Sequence, residues 1–423
     1  MAVKKPRGTN DFLGKNVLLL EQIEETVRKV CKSFGIGEIR TPMFEYTELF
    51  ARGVGETTDI VQKEMFTFED RGGRSLTLKP EGTAGAARAF VENGLISDAQ
   101  PTKLFYITPC FRNERPQAGR YKQFHQFGAE MYGTYDAKAD AEIISLAHTI
   151  LNELGLKNIT LRINSLGCNE CRKRYNDTLK TFISKRLDCL CEDCKQRYEK
   201  NPLRVLDCKN ENCKKALSGA PSVLDSLDDE CKTHFQKVQE YLTVMGIPFE
   251  VDSSIVRGLD YYTKTVFEFV SDQIGSQGTV CGGGRYDNLI KECGGSAMGA
   301  VGFAMGLERI MLLKQAQGSD DQIEDTPDIF IASIGEQGEK KAVSIGYSLR
   351  LKGIKAEYDT MGRSLKAQMK YADKIGAKFN ICIGDDDIAS DCVTVKNMES
   401  GEKTSMKLSN ITEEIIKTIK ENK

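Results

Sequence analysis

The chain has 423 residues, 40% hydrophobic and 28% charged, with 59 Lys and Arg against 61 Asp and Glu. That balance fits a globular protein of two or three domains and excludes collagen-like, fibrous and disordered classes. The net charge of -2 excludes a global attraction to polyanions, so contact with nucleic acid has to come from a local basic surface.

The opening Met-Ala-Val-Lys-Lys-Pro-Arg carries no apolar targeting segment, and no run of about 18 apolar residues follows. A soluble, cytoplasmic chain without a membrane partner is expected. Leu19, Leu20, Ile23, Val27 and Val30 recur at helical spacing and predict a helix over 17–33, stopped by Gly35 and Gly37. Short β-type runs follow at 38–42, 63–68 and 75–78. Strands at 103–107 and 123–131 flank residues 113–120, whose Arg, Pro and Gly content reads as a long hairpin loop. An amphipathic helix is predicted over 139–155.

The character changes at 168–231, which holds eight of the 14 cysteines. Between Cys168 and Leu217 there are 13 Lys and Arg against 8 Asp and Glu. This stretch reads as a Cys-rich, basic module inserted into the main domain. Sheet patterning returns at 248–251, 265–269 and 278–281. Gly299, Gly302 and Gly306, at spacings of three and four, are read as a glycine-rich helix over 299–314 that packs closely on a sheet. Arg309 is then expected on its opposite face.

The polar stretch 319–327 reads as a linker. Beyond it, strands at 329–332, 354–358, 379–383 and 393–396 alternate with helices at 337–352, 364–376 and 411–421. That alternation predicts a small α/β domain with a partly parallel sheet. The expected organisation is a first part of the main domain at 1–167, the insertion at 168–231, a second part of the main domain at 232–318, the linker, and a last domain at 328–423.

Four stretches invite chemistry. In the hairpin loop, Arg112 can grip a phosphate with two parallel hydrogen bonds. Glu114 can accept from an exocyclic amine, Arg120 can swing on the loop, and Phe124 can lie under a purine. A solvated loop tip would carry the same charges. Arg257-Gly258-Leu259-Asp260-Tyr261-Tyr262 places an Arg at the mouth of a strand, with two Tyr expected to project to opposite sides. Gly282-Gly283-Gly284 lacks the ending of a phosphate-binding P-loop, and either admits a ligand to the backbone or forms a bulge. Cys191-x2-Cys194 with Cys208-x4-Cys213 is near zinc-ribbon spacing, and Cys168-x2-Cys171 is an alternative pair. A structural Zn²⁺ and a set of reduced thiols are both open readings.

Taken together, these stretches carry a family resemblance. Ile39-Arg40-Thr41-Pro42, Phe111-Arg112-Asn113-Glu114 and Gly306-Leu307-Glu308-Arg309 resemble motifs 1, 2 and 3 of the class II aminoacyl-tRNA synthetases. The 257–262 and 282–287 stretches, and the opening Pro6-Arg7-Gly8-Thr9-Asn10-Asp11, are similar to blocks of the histidyl-tRNA synthetase family. The resemblance spans nearly the whole chain.

The resemblance implies an α+β catalytic domain on an antiparallel sheet, a homodimer joined partly through the Pro42 segment, and a C-terminal anticodon-binding domain. The implied reaction is activation of L-histidine by ATP to histidyl-adenylate and pyrophosphate, then transfer to the 3′ end of the histidine tRNA. Mg²⁺ is expected to bridge the leaving pyrophosphate. Arg112 and Arg257 are implied to clamp the α-phosphate and Arg309 the γ-phosphate, with Arg257 standing where related enzymes use a metal. Glu114, Arg120 and Phe124 complete the ATP site.

For histidine, neutral imidazole offers one N–H and one lone pair, so its pocket needs an acceptor and a donor. By resemblance these are Glu130 and the Tyr262 hydroxyl. Glu81 and Thr83, with Gly82 between them, take the α-ammonium, Gln126 takes the carboxylate, and Tyr261 closes the wall. Arg115 and Gln117 are candidates for the tRNA acceptor end. The basic insertion is a candidate tRNA surface, or only a solvated face. Two alternatives are an inactive synthetase-like regulatory subunit of histidine biosynthesis, and a related synthetase for glycine, threonine or proline.

Overall fold

Two ten-residue strands, Thr102–Phe111 and Gln123–Tyr132, pair as a hairpin whose return strand is buried from Gln126 to Tyr132. A computed structural model describes residues 2–421 other than 56, 57, 59, 118, 207, 209, 256, 258 and 319–324. Ala118, Gly258 and most of the expected linker thus lie outside the described residues. The chain divides into two compact units, Met1–Gln322 and Ile323–Lys423.

The strands of the first unit are β1 (Gly37–Glu38), β2 (Phe44–Tyr46), β3 (Phe66–Glu69), β4 (Ser75–Leu78), β5 (Thr102–Phe111), β6 (Gln123–Tyr132), β7 (Thr160–Ser165), β8 (Glu250–Val251), β9 (Thr263–Val270), β10 (Thr279–Arg285) and β11 (Ala300–Gly306). Among the described residues eight of them form one sheet in the order β1-β5-β6-β11-β10-β9-β7-β8. All its inner pairings are antiparallel, and only the edge pairs β1–β5 and β7–β8 run parallel. β2, β4 and β3 form a separate small sheet.

Helix Lys15–Ser33 buries Leu19, Leu20, Ile23, Val27, Val30 and Cys31, the stripe that its spacing predicts. Burying each Leu, Ile or Val contributes roughly 1.5–3 kcal/mol. Helix Ala137–Glu153 packs against it and against helix Asp229–Val244.

The expected helix over 299–314 is not one element. Residues 300–306 are strand β11, at the centre of the sheet between β6 and β10, and the helix begins only at Leu307. Gly302 serves the neighbouring strand β6: a β-carbon there would overlap the Glu130 carboxylate. Arg309 therefore sits in the first turn after the strand.

The β-run at 38–42 shrinks to Gly37–Glu38, and the run at 63–68 splits into a π-helical turn, Ile60–Glu64, and β3. Residues 169–216 are largely helical, with Asn169–Ser184, Glu192–Lys200, Leu203–Leu206 and Glu211–Ala216. They bury their own apolar cluster around Tyr175, Leu179, Ile183, Val205 and Leu217.

In the second unit, β12 (Ile329–Ser333), β13 (Ala356–Tyr358), β14 (Phe379–Ile383), β15 (Cys392–Asn397) and β16 (Lys403–Lys407) pair in the order β13-β12-β14-β15-β16. The first three run parallel and the last two add antiparallel. Helices Gly335–Leu351 and Ile411–Glu421 pack into its core, matching the partly parallel α/β reading.

Candidate active site

The central strands expose a cleft whose walls come from distant parts of the first unit. Arg112, Glu114 and Arg120 come from the β5–β6 loop, Phe124 and Gln126 from β6, and Arg257, Tyr261 and Tyr262 from the segment before β9. Glu81, Thr83 and Arg309 also line it. Arg112, Arg257 and Arg309, 197 residues apart at the extremes (309 minus 112), thus line one cleft.

Each guanidinium is held. Arg112 Nε donates to the Pro80 carbonyl at 2.9 Å, and its guanidinium carbon lies 5.2 Å from the Phe124 ring centre. Arg309 Nη1 donates to the Thr279 carbonyl at 2.7 Å, and Nε to the Gly119 carbonyl at 3.3 Å. Burial, with repulsion from Arg120 and Arg112, pulls the Arg309 pKa down to about 10. The positive charge that Arg112 and Arg120 place beside Arg309 is an arrangement that a bound anion would relieve.

Arg257 pairs with Glu268 of β9, and its guanidinium carbon lies 5.8 Å from the Tyr262 ring centre. Burial lowers its pKa, but the Glu268 charge outweighs that, and the net shift is upward. Arg257 Nε is buried with no hydrogen-bond partner. Gly282 of β10 makes room for this side chain: a β-carbon there would lie 2.7 Å from the Arg257 guanidinium carbon. At Gly282 the close approach admits Arg257, and the β9–β10 register shifts between Gly284 and Arg285, the irregularity that the bulge reading expects.

Glu81, just before the Gly82 N-cap of helix Thr83–Glu92, accepts from the Thr83 and Ala84 N–H groups at 2.8 Å each. Burial raises its pKa. Gln126 Oε1 accepts from the Gly82 N–H at 2.8 Å, which leaves the Gln126 NH2 without a partner among the described residues. Tyr261 and Tyr262 both line the cleft, with ring centres 4.6 Å apart. The opposite projection expected for them fails because they precede β9, where strand alternation has not begun.

Glu130 and Gly82 do not line the cleft. Glu130 is fully buried, accepting from Tyr106 at 3.1 Å and from Tyr286. Burial, opposed by the Tyr286 hydrogen bond, pushes its pKa up to about 8. Gly82 packs against the Tyr106 ring with no space for a β-carbon. Arg115 and Gln117 lie exposed on the loop outside the cleft, where Gln117 and Arg120 close the tip through paired backbone hydrogen bonds of 3.1 and 2.9 Å.

Several lining residues escaped sequence reasoning, notably Tyr121, Thr279 and Glu308. Both Glu308 oxygens accept from the His125 N–H at 2.9 Å, and Oε1 also pairs with Nδ1. That side-chain bond raises the His125 pKa. Glu308 stands beside Arg309 in the 306–309 stretch, so a signal was present.

Cys191, Cys194, Cys208 and Cys213 converge, with their sulfurs all within 4.8 Å of one another. Cys168 and Cys171 are not an alternative pair for that group, because they belong to a second cluster.

A family model described as histidyl-tRNA synthetase matches residues 8–310, and one described as an anticodon binding domain matches 328–418. The chain belongs to the histidyl-tRNA synthetase family. Its relatives include the histidine–tRNA ligase of Caldanaerobacter subterraneus subsp. tengcongensis, 54% identical over 99% of this chain and 100% of that one. The histidine–tRNA ligase of Clostridioides difficile is 51% identical over 98% and 99%. The apo histidyl-tRNA synthetase of S. aureus superposes with a TM-score of 0.84 at 38% identity, covering 98% of this chain and 100% of that one. Within the family, the matched 328–418 region corresponds to the second unit described above.

Proposed function

We propose that this chain activates L-histidine with ATP and then transfers it to the 3′ end of the histidine tRNA. The observation that carries the reading is the convergence of Arg112, Arg257 and Arg309 on the cleft that Gln126, Tyr261 and Tyr262 also line.

In the first step a histidine carboxylate oxygen attacks the α-phosphorus of ATP. A P–O bond forms to the carboxylate, the bond to the β-phosphate breaks, and pyrophosphate leaves with the electron pair. Orientation and charge neutralisation lower this barrier, with little covalent help required. Arg112 and Arg257 hold the α-phosphate, and Arg309 holds the γ-phosphate. The Arg257–Glu268 pair fixes one cation in place before substrate arrives. Glu114 holds Arg120 at 2.8 Å and would exchange it for the adenine amine, releasing Arg120 toward the triphosphate. Phe124 lies under the purine.

Of the cleft carboxylates, Glu308 is a hard oxygen donor that fits Mg²⁺ and would hold it. When bound, that ion neutralises the leaving pyrophosphate.

Gln126 offers its free NH2 to the substrate carboxylate, and Glu81 and Thr83 receive the ammonium group. Tyr262 donates to the imidazole. Glu130, the acceptor that the resemblance implies, is buried on Tyr106 and Tyr286 behind the cleft wall and would have to be uncovered to reach the ring. Tyr261 closes the wall.

In the second step the terminal ribose hydroxyl of the tRNA attacks the adenylate carbonyl and expels AMP. Arg115 and Gln117, exposed on the loop, suit the acceptor end. The insertion at 168–231 and the domain at 328–423 are the expected wider tRNA surfaces. We place the enzyme in the cytoplasm as a homodimer. Exposed Met43, Phe44, Tyr46 and Phe68 beside Pro42 support that interface, and no helix among the described residues is long and apolar enough to cross a membrane. A structural zinc is proposed at Cys191, Cys194, Cys208 and Cys213.

The regulatory-subunit alternative is not favoured. Paralogues of that kind lack aminoacylation, whereas this chain keeps the 257–262 stretch and a matched anticodon-binding domain. Pyrophosphate exchange into ATP, with each of the twenty amino acids supplied singly, tests the reading. Exchange with histidine alone is expected, followed by charging of a histidine tRNA transcript. Exchange with another amino acid, or with none, would overturn it.

A further inference from the structure

At the root of the insertion, two helices begin side by side with matching chemistry. Cys168 is the N-cap of helix Asn169–Ser184, and Cys171 lies in its first turn. Asp228 is the N-cap of helix Asp229–Val244, and Cys231 lies in its first turn. The two starts therefore read Cys-x2-Cys and Asp-x2-Cys, the same spacing used twice. One ligand atom from each of the four residues falls within 4.8 Å of the other three. We propose that Cys168, Cys171, Asp228 and Cys231 form a second, separate structural zinc site that fastens the insertion to the catalytic sheet.

The distances suit a tetrahedral ion. Cys168 and Cys171 sulfurs are 3.6 Å apart, close to the separation of about 3.8 Å that Zn–S bonds of about 2.3 Å impose on a tetrahedron. Asp228 Oδ2 lies 3.2 and 3.1 Å from those two sulfurs. Zinc accepts such mixed sulfur and carboxylate sets.

The surroundings are built for accumulated negative charge. Two helix N-termini face the cluster, and such ends favour thiolates. The Asp228 N–H donates to Cys171 Sγ at 3.2 Å, and Arg174 Nη2 lies 3.4 Å from the same sulfur. Arg174 also donates to the Ser226 carbonyl at 3.0 Å, joining the two ends of the insertion. Asp228 Oδ1 accepts from the Cys231 N–H at 2.8 Å, which orients the carboxylate. The turn before Cys168 is equally constrained. Gly167 has φ 68°, and a β-carbon there would overlap Cys171 and come within 2.9 Å of Leu227.

The same two helix starts hold the histidine-block segment. Arg172 donates to the carbonyls of Asp260, at 3.3 Å, and Tyr262. Glu230 takes Lys264 Nζ at 2.8 Å, and the Lys264 N–H donates to the Gly167 carbonyl at 2.8 Å. An ion binding both starts together fixes the spacing of Arg172 and Glu230, and hence the 260–264 backbone.

Metal analysis of the full chain, purified reduced and without chelator, tests the proposal. Two zinc ions per chain are expected, falling to one in Cys171→Ala/Cys231→Ala. The remaining ion should then be lost on adding Cys194→Ala/Cys213→Ala, so the two clusters are scored separately. A zinc count that is the same in the wild type and in Cys171→Ala/Cys231→Ala would overturn the second site and leave the first standing. Zinc-edge anomalous diffraction from the wild-type chain covers variants that fail to fold. A peak among Cys168, Cys171, Asp228 and Cys231 supports the site, and its absence, or a Cys168–Cys171 disulfide there, refutes it.

Discussion

Gly302 and Glu130 face each other across the β6–β11 pairing with no space for another atom between them. A β-carbon on Gly302 would overlap the Glu130 carboxylate and lie 2.6 Å from the Ala129 carbonyl oxygen. Gly302→Ala should therefore push Glu130 out of its cradle of phenols. Overpacking of this kind costs about 1–3 kcal/mol. We expect a lower Tm together with a raised KM for histidine and little change in KM for ATP. Equal KM values for both substrates in variant and wild type would separate Glu130 from histidine recognition.

Arg257 supplies a fixed cation beside Glu268. Arg257→Ala should reduce histidine-dependent pyrophosphate exchange by about 100-fold or more, as loss of a preorganised charge donor does. Circular dichroism should remain that of the wild type. An active Arg257→Ala enzyme would remove the residue from the phosphate clamp.

Tyr262→Phe deletes one hydroxyl and leaves the ring in place. A neutral hydrogen bond contributes about 0.5–1.5 kcal/mol, so kcat/KM for histidine should fall by up to about tenfold. Discrimination against analogues without the imidazole acceptor nitrogen should fall in step. Unchanged discrimination would assign the donor role elsewhere.

Burial raises the Glu130 pKa from 4.5 to about 8, so the folded chain holds this proton more tightly than the unfolded chain. The resulting stability is fully present below pH 4.5 and is lost as pH rises through about 8. Glu130→Gln removes this dependence. The Tm difference, wild type minus variant, should decline across that window, and a flat difference would show that Glu130 titrates normally.

The parts of this fold that a sequence displays are those governed by local period. Leu19 to Val30 announced their helix because five apolar side chains fall on one face, and that face is the buried one. The second unit was legible for the same reason. The centre of the catalytic sheet was not. Gly299, Gly302 and Gly306 mimic helical spacing, yet what makes 300–306 a strand is the pairing on either side with β6 and β10, more than 150 and about 20 residues away in sequence. β7 was missed although Leu161 and Ile163 alternate, because six residues between two helices give a weak signal.

Among site residues, Arg112, Arg257 and Arg309 could be picked out by type, but their convergence is a tertiary fact. Arg285 is similar: it lies in the 282–287 stretch, but its buried pairing with Asp140, 145 residues away, depends on helix Ala137–Glu153 docking. Asp228 and Cys231 could have been noticed, since Asp-x2-Cys repeats the spacing of Cys168 and Cys171.

β10 runs beneath the cleft as three successive glycines, each closed to a side chain by a different neighbour. At Gly282 the obstacle is Arg257, at Gly283 the Phe303 β-carbon at 2.5 Å, and at Gly284 the Thr265 carbonyl oxygen at 2.5 Å. Where β10 meets the cleft at Gly282, it thus offers no side chain to retune. A lineage or library that changes which amino acid this enzyme selects is expected to work through side chains such as Gln126, Tyr261 and Tyr262.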